Sequence, residues 1–187
     1  MSTKSEVTEG RVSNLYRRHG PTGSSVDNSP ITNVAGTNIA VTHLTVSAAD
    51  AAALAGDEIF KGHAHGTFTS GAGAPTDIRF TVFWNGIGGT QLCQLIIPAA
   101  GLWANAAGVG WDLDIDISFA SPTEAECTIK LWWHTVGGVG GSISWFQVGN
   151  ATGLSTAGAR DITLAYQCTS ASTMSLGTKG ARIWREA

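Results

Sequence analysis

Three histidines are spaced so that they could ligate a metal ion. His63 and His65 lie in the segment KGHAHG, and His134 follows a tryptophan pair in LWWHT. Alternate residues of a β-strand point to one face, so His63 and His65 would be neighbours. Three neutral imidazoles can hold Zn²⁺ and leave one coordination position open. Because the sequence places no carboxylate to orient these rings, we instead interpret them as polar residues of a half-exposed sheet or as a cluster on a three-fold axis, and expect no metal site.

Three aspartates could in principle collect Ca²⁺, a cation that prefers oxygen ligands. Asp112, Asp114 and Asp116 alternate with apolar residues in the segment WDLDIDISF. Alternate residues of a strand are about 6–7 Å apart, and the segment lacks a loop that could curl around an ion. We therefore interpret the three carboxylates as a solvated acidic face that discourages pairing at a sheet edge.

Tryptophans could form a platform on which sugar rings stack, or a contact between subunits. In the pair Trp132–Trp133, one ring must point into the protein and the other outwards, because neighbouring strand residues face opposite sides. Tryptophan is enriched at protein interfaces, which favours a subunit contact over a glycan site. The interface or glycan candidates are Trp103, Trp132 and Trp133, and the wider aromatic set adds Trp84 and Trp145.

Motifs of catalysis are not found in the sequence. It has no GxSxG, no HExxH, no Walker A motif and no dinucleotide fingerprint after a strand. A glycosidase would need two carboxylates facing each other across a cleft, and the paired candidates Glu124 and Glu126 fall in what reads as a turn. We expect a non-enzymatic protein without a cofactor.

The element that must position these residues is the strand WDLDIDISF, in which five apolar residues alternate with four polar ones. Such a strand has one buried and one wet face, as in an antiparallel sheet that packs on a second layer. Nine or ten similar strands follow one another, separated by turn signals such as Asn85-Gly86. Only residues 48–56 have a helix-like pattern, of about two turns. The sequence thus predicts an all-β protein, an antiparallel β-sandwich of jelly-roll type over residues 37–187.

Charge and composition exclude several classes of partner. The formal net charge is −3, which gives no electrostatic basis for binding nucleic acid. No apolar run approaches the roughly 20 residues that span a bilayer, and the polar N-terminus lacks the apolar core of a signal peptide. We expect the chain to stay in the cytoplasm where it is made. Its three cysteines, Cys93, Cys127 and Cys168, are expected to be buried free thiols.

Residues 1–36 differ from the rest of the chain because they show no apolar periodicity and include the Gly/Pro/Ser-rich segment GPTGSSVDNSP at residues 20–30. One interpretation is a disordered tail. The other is an extended anchoring arm that becomes ordered on another subunit. Its partner-binding residues would be Arg11, Leu15, Tyr16, Arg17 and Arg18.

Several segments resemble the jelly-roll structural proteins of tailed bacteriophages, namely capsid decoration proteins, head fibres and tail-fibre modules. The segment AGDEIFKGHAHGTFTSGAGAPTDIRFTVFWNG resembles a hairpin of these modules, and TMSLGTKG followed by ARIWRE resembles their terminal strand. The resemblance covers roughly residues 38–187, is compositional, and transfers no site residue.

The resemblance implies a non-enzymatic virion protein, made in the host cytoplasm and assembled as a homotrimer. The leading hypothesis is a capsid decoration (cement) or head-fibre protein that binds the major capsid protein or other virion proteins through residues 1–36. The alternative is a tail-fibre module that recognises host surface carbohydrate. Neither hypothesis involves nucleic acid or a membrane.

Overall fold

A computed structural model describes residues 31–32, 37–54, 58–70, 77–98, 108–134, 143–168 and 174–186. These ranges form ten β-strands and one short helix, α1. The strands are β1 Ile31–Thr32, β2 Ile39–Val46, β3 Glu58–Ser70, β4 Asp77–Trp84, β5 Thr90–Pro98, β6 Val109–Ser121, β7 Glu124–His134, β8 Ile143–Thr152, β9 Arg160–Cys168 and β10 Met174–Glu186, and α1 spans Ala48–Ala52 between β2 and β3.

The strands form two antiparallel sheets that pack face to face. One sheet has six strands in the order β1-β10-β3-β6-β7-β8, and the other has four in the order β2-β9-β4-β5. Every described strand pair is antiparallel. The predicted all-β antiparallel sandwich is confirmed. The jelly-roll type and the division into an arm (1–36) and a sandwich domain (37–187) remain predictions.

Strand β6 runs through the middle of the six-stranded sheet and follows the predicted alternation. Its alternating apolar residues from Trp111 to Phe119 are buried, and Asp112, Asp114 and Asp116 lie on the half-exposed outer face. Both of its edges are hydrogen-bonded, one to β3 and the other to β7. The interpretation of the aspartates as protection of a sheet edge is therefore wrong, because β6 is a central strand.

The core between the sheets is built on aromatic contacts that cross from one sheet to the other. The ring centroid of Phe80 on β4 lies 5.6 Å from that of Trp111 on β6. Likewise, the rings of Trp84 on β4 and Phe119 on β6 are 5.3 Å apart. All four side chains are at most 1% exposed. Aromatic pairs at such distances stabilise a core beyond the area they bury.

Local signals explain the connections. Ser47 caps α1 by accepting a hydrogen bond from the backbone N–H of Asp50 at 3.1 Å. The helix has five residues, which is shorter than the two turns expected for 48–56. Asn85 and Gly86 both have positive φ angles, 74° and 76°, so the predicted turn after β4 is confirmed.

Cys93, Cys127 and Cys168 are buried free thiols, as predicted. Of the segment 1–36, the structure describes only Ile31–Thr32, which pairs with β10. The predicted anchoring residues Arg11, Leu15, Tyr16, Arg17 and Arg18 lie outside the described residues. In the part of the chain that is described, no helix has the length and apolar character needed to span a membrane.

Candidate functional site on the outer face of the six-stranded sheet

The outer face of the six-stranded sheet brings together the histidines and aspartates that the sequence separates. Strands β3 and β6 are antiparallel, and their register places polar residues in opposing pairs across the face. The pairs are His65 with Asp112, His63 with Asp114, and Lys61 with Asp116. A histidine therefore stands beside a carboxylate in each of two adjacent rows.

His63 is oriented by Asp114. Its Nδ1 lies 2.8 Å from Oδ1 of the aspartate, and both side chains are half-exposed. A carboxylate can only accept, so Nδ1 carries the proton and Nε2 keeps its lone pair when the ring is neutral. The expectation that no carboxylate orients these rings is wrong, because the partner lies 51 positions away and meets His63 only through strand pairing.

The other charged groups of this face are largely paired with one another. Asp116 Oδ2 lies 3.7 Å from Lys130 Nζ on β7. Lys61 Nζ lies 3.0 Å from Glu186 Oε2 on β10, and this hydrogen bond and charge raise the pKa of Lys61. These ion pairs are solvent-exposed, so each contributes little to stability. They do establish that Asp116 faces a cation rather than the histidines.

His65 is confined by a glycine on the neighbouring strand. It lies opposite Gly180 of β10, and a Cβ added there would be 2.6 Å from His65 Cε1. The imidazole thus occupies the space of the missing side chain. Its ring centroid is 5.5 Å from that of His63. His65 Nδ1 is buried, with no hydrogen-bond partner among the described residues.

His63, His65 and Asp112 each offer a potential ligand atom, and these atoms lie within 4.8 Å of one another. All three residues are half-buried. The structure therefore groups the two histidines with an aspartate. The backbone of His134 pairs with Gly110, but its side chain lies outside what the structure describes. Its predicted membership in the cluster stays a prediction.

The tryptophans divide between the core and the surface. Trp133 is 2% exposed and its ring lies 5.3 Å from Phe68, while Trp84 is also buried. Assigning Trp133 to an interface or glycan site is therefore wrong, because its ring points inwards. Trp132 points outwards and is half-buried, as expected for the other ring of the pair. Trp145 packs against the core, and Trp103 lies outside the described residues.

Two exposed apolar residues on β8 were missed by sequence reasoning. Phe146 is 61% exposed and Val148 is 36% exposed. Phe146 pairs with Lys130 on β7, and the neighbouring β7 residue on that face, Trp132, pairs with Ser144. We call Trp132, Phe146 and Val148 the apolar patch. The available signal was the segment SWFQV, in which Phe146 and Val148 alternate with Trp145 and Gln147.

Glu124 and Glu126 were expected in a turn but lie on β7, which begins at Glu124. The turn before it is shorter than expected and centres on Pro122 and Thr123. Both glutamates are exposed, and their alternate positions place them side by side on one face. They therefore do not face each other across a cleft.

Comparison with known proteins yields no assignment. No family model matches the chain, and no curated protein matches it. Two solved structures show weak similarity. One is a structure of infectious bursal disease virus Gx strain, with 16% identity, 87% of this chain and 40% of that chain covered, and a TM-score of 0.27. The other is a family 7 alginate lyase A1-II′ variant, Y284F, in complex with product, with 13% identity, 75% and 77% coverage and a TM-score of 0.24. The chain thus spans less than half of the viral chain, and TM-scores this low carry no conclusion about function.

Proposed function

We propose that this chain is a structural protein of a virus particle, a capsid decoration or head-fibre protein that assembles as a homotrimer. The observation that supports it best is the apolar patch on the outside of a sandwich whose own core is already filled. The resemblance of residues 38–187 to phage structural modules points in the same direction.

The apolar patch fits a contact with another copy of this chain. Trp132 on β7 and Phe146 on β8 lie on neighbouring strands, and β8 is the last strand in the order of the six-stranded sheet. Fully burying an exposed phenylalanine contributes about 1.5–3 kcal/mol, and Phe146, which is 61% exposed, would gain the larger part of this in each copy. The adjacent pair Lys130–Asp116 would form a polar rim around such a contact, as is usual for interfaces.

Residues 1–36 would supply the attachment to the particle. An arm that lies across the boundary between capsid subunits adds contact area on both sides, and so opposes their separation. Deleting residues 1–30, which keeps β1, should abolish binding to capsids of the same virus. The number of chains in each oligomer should stay unchanged. Full occupancy of capsids by the truncated chain would refute this attachment.

The self-association is tested by light scattering after size-exclusion chromatography. The wild-type chain should elute with a mass near three times 19.4 kDa, and the double variant Phe146→Ser, Val148→Ser should elute as smaller species. Ile87→Ser is the matched control, because Ile87 is 45% exposed but lies in the β4–β5 turn. A monomeric wild-type chain, or a trimer that survives the double substitution, would contradict the proposal.

A second candidate function is recognition of host surface carbohydrate on a tail fibre, and one observation favours it. Trp132 shares a row of the outer face with Asp112 on one side and Ser144 on the other. An aromatic ring beside hydrogen-bonding groups is suited to a sugar. On a glycan array, Trp132→Ala should lose the signal and Trp184→Ala, a half-buried tryptophan on β10, should keep it. Absence of any wild-type signal would count against this candidate.

A further inference from the structure

We propose that His63, His65 and Asp112 form a binding site for a divalent transition-metal ion, with Zn²⁺ as the best fit. This inference does not depend on the proposed virion role. It rests on the grouping of three donors from two adjacent strands, whose potential ligand atoms all lie within 4.8 Å of one another.

Strand geometry explains why the three donors converge. His63 and His65 are two residues apart on β3 and so share the outer face. Asp112 lies directly opposite His65 on β6. The ligand atoms of tetrahedral Zn²⁺, at about 2.0–2.1 Å from the ion, are roughly 3.3 Å from one another. On binding, the three ligand atoms would therefore have to approach from within 4.8 Å of one another to this spacing.

Asp114 gives His63 the hydrogen-bond acceptor that a metal-binding histidine usually has behind it. Its carboxylate accepts the Nδ1 proton of His63 at 2.8 Å. A histidine that binds a metal ion through one ring nitrogen normally donates a hydrogen bond from its other ring N–H to a carboxylate or carbonyl. This hydrogen bond fixes the ring and raises the basicity of the coordinating nitrogen. The contact therefore prepares His63 to coordinate through Nε2.

The surroundings of His65 also favour coordination. Its Nδ1 is buried and finds no partner within the described part of the chain, and buried polar atoms are rarely left unsatisfied. Gly180 gives the ring room to lie over β10. Coordination of a metal ion through Nδ1 would satisfy this buried atom.

The donor set selects the class of metal. Two imidazoles and one carboxylate suit Zn²⁺ and other divalent first-row transition metals, whereas Ca²⁺ and Mg²⁺ prefer oxygen donors alone. Asp112 and Asp114 together carry two negative charges, which balance a divalent cation. Three protein ligands leave a position for water or an outside donor, and the half-buried cluster is accessible from solvent.

The test uses the full chain, freed of metal with EDTA and titrated with ZnCl₂ by calorimetry. One Zn²⁺ per chain should bind, and Asp112→Asn, which preserves shape, should weaken binding at least tenfold. Asp114→Asn should weaken Zn²⁺ binding about 10- to 100-fold, because His63 loses the carboxylate that accepts its Nδ1 proton. Asp116→Asn is the matched control, since Asp116 lies on the same strand and faces Lys130, and its affinity should equal that of the wild type.

Circular dichroism of each variant confirms that the sandwich is intact, and His65→Gln provides a second probe of the same site. Absence of Zn²⁺ binding by the wild-type chain would overturn the proposal. So would equal affinity of Asp112→Asn and the wild type, or equal weakening by Asp112→Asn and Asp116→Asn. Cobalt(II) absorption gives an independent readout, because its visible bands should appear in the wild type and be lost in His65→Gln.

Discussion

Arg185 near the end of β10 forms a two-pronged ion pair with Glu58 at the start of β3. Its Nε donates to Oε2 at 2.6 Å, and its Nη2 donates to Oε1. Nη1 also lies 3.5 Å from Asp50 in α1. The hydrogen bond with Glu58 and the nearby carboxylates raise the pKa of Arg185. One side chain therefore links the last strand, the third strand and the helix.

A double-mutant cycle should detect this link. Glu58→Ala and Arg185→Ala should show a coupling energy of about 1 kcal/mol in urea unfolding, since a bidentate pair with both side chains mostly covered exceeds an ordinary surface pair. The pair Lys61–Glu186 joins the same two strands through one exposed contact and should show a smaller coupling. Equal coupling in both cycles would contradict the special role of the Arg185 geometry.

The two neighbouring tryptophans should differ sharply in their effect on stability. Trp133→Ala should lower the free energy of unfolding by about 3–5 kcal/mol, because it removes a buried ring from the core. Trp132→Ala should cost less than about 1 kcal/mol, since this ring lies on the outer face. Thermal and urea unfolding measure both values. Similar losses in the two variants would mean that the inward and outward assignments are incorrect.

Tyr166 should make the fold sensitive to alkali. Burial raises the pKa of this phenol above its ordinary value of about 10. Above about pH 10 the tyrosine of the unfolded chain loses its phenol proton, whereas Tyr166 in the folded chain keeps it. The free energy of unfolding should therefore be unaffected by this group below pH 10 and should fall by about 1.4 kcal/mol per pH unit above it.

The variant Tyr166→Phe isolates this effect in urea unfolding between pH 8 and 11. The phenol oxygen has no hydrogen-bond partner among the described residues, so removing it should leave stability at pH 8 unchanged within about 1 kcal/mol. The alkaline slope should become shallower, and burial of Cys127, whose pKa is also raised, accounts for part of what remains. An unchanged slope would exclude Tyr166 as its source.

The three thiols should all be protected from alkylation in the folded protein, but they should become reactive in a defined order on partial unfolding. All are at most 2% exposed, so iodoacetamide should label none of them in the native state. Burial raises the pKa of Cys127, whereas a hydrogen bond from the Cys127 thiol lowers that of Cys93. Cys93 also lies on β5, at the end of its sheet. In mild denaturant, peptide mass spectrometry should find Cys93 labelled first, and earlier labelling of Cys127 would contradict this order.

Local alternation was sufficient to predict the sandwich and the two faces of β6, because β6 and several other strands each carry a period-two pattern in their own sequence. The grouping of the histidines required more. His63 meets Asp114 through the register of β3 against β6, and neither strand encodes that register by itself. The same applies to the position of β6 within its sheet, which made the aspartates look like edge protection. The same alternation distinguishes Trp133, which shares a strand face with Ile129 and Leu131, from Trp132, which shares one with Lys130.

The two-faced pattern of β6 also determines which folding errors the chain can tolerate. A shift of β6 by one position turns Asp112, Asp114 and Asp116 into the core, and burying unpaired carboxylates is prohibitively costly. A shift by two positions keeps every residue on its proper side, so polarity alone does not reject it. Even displacements are opposed by the interlocking shapes of rings such as Phe119 against Trp84 and by the short turn that joins β6 to β7. Odd displacements are thus excluded by charge, and even ones by side-chain fit and by the length of the turn.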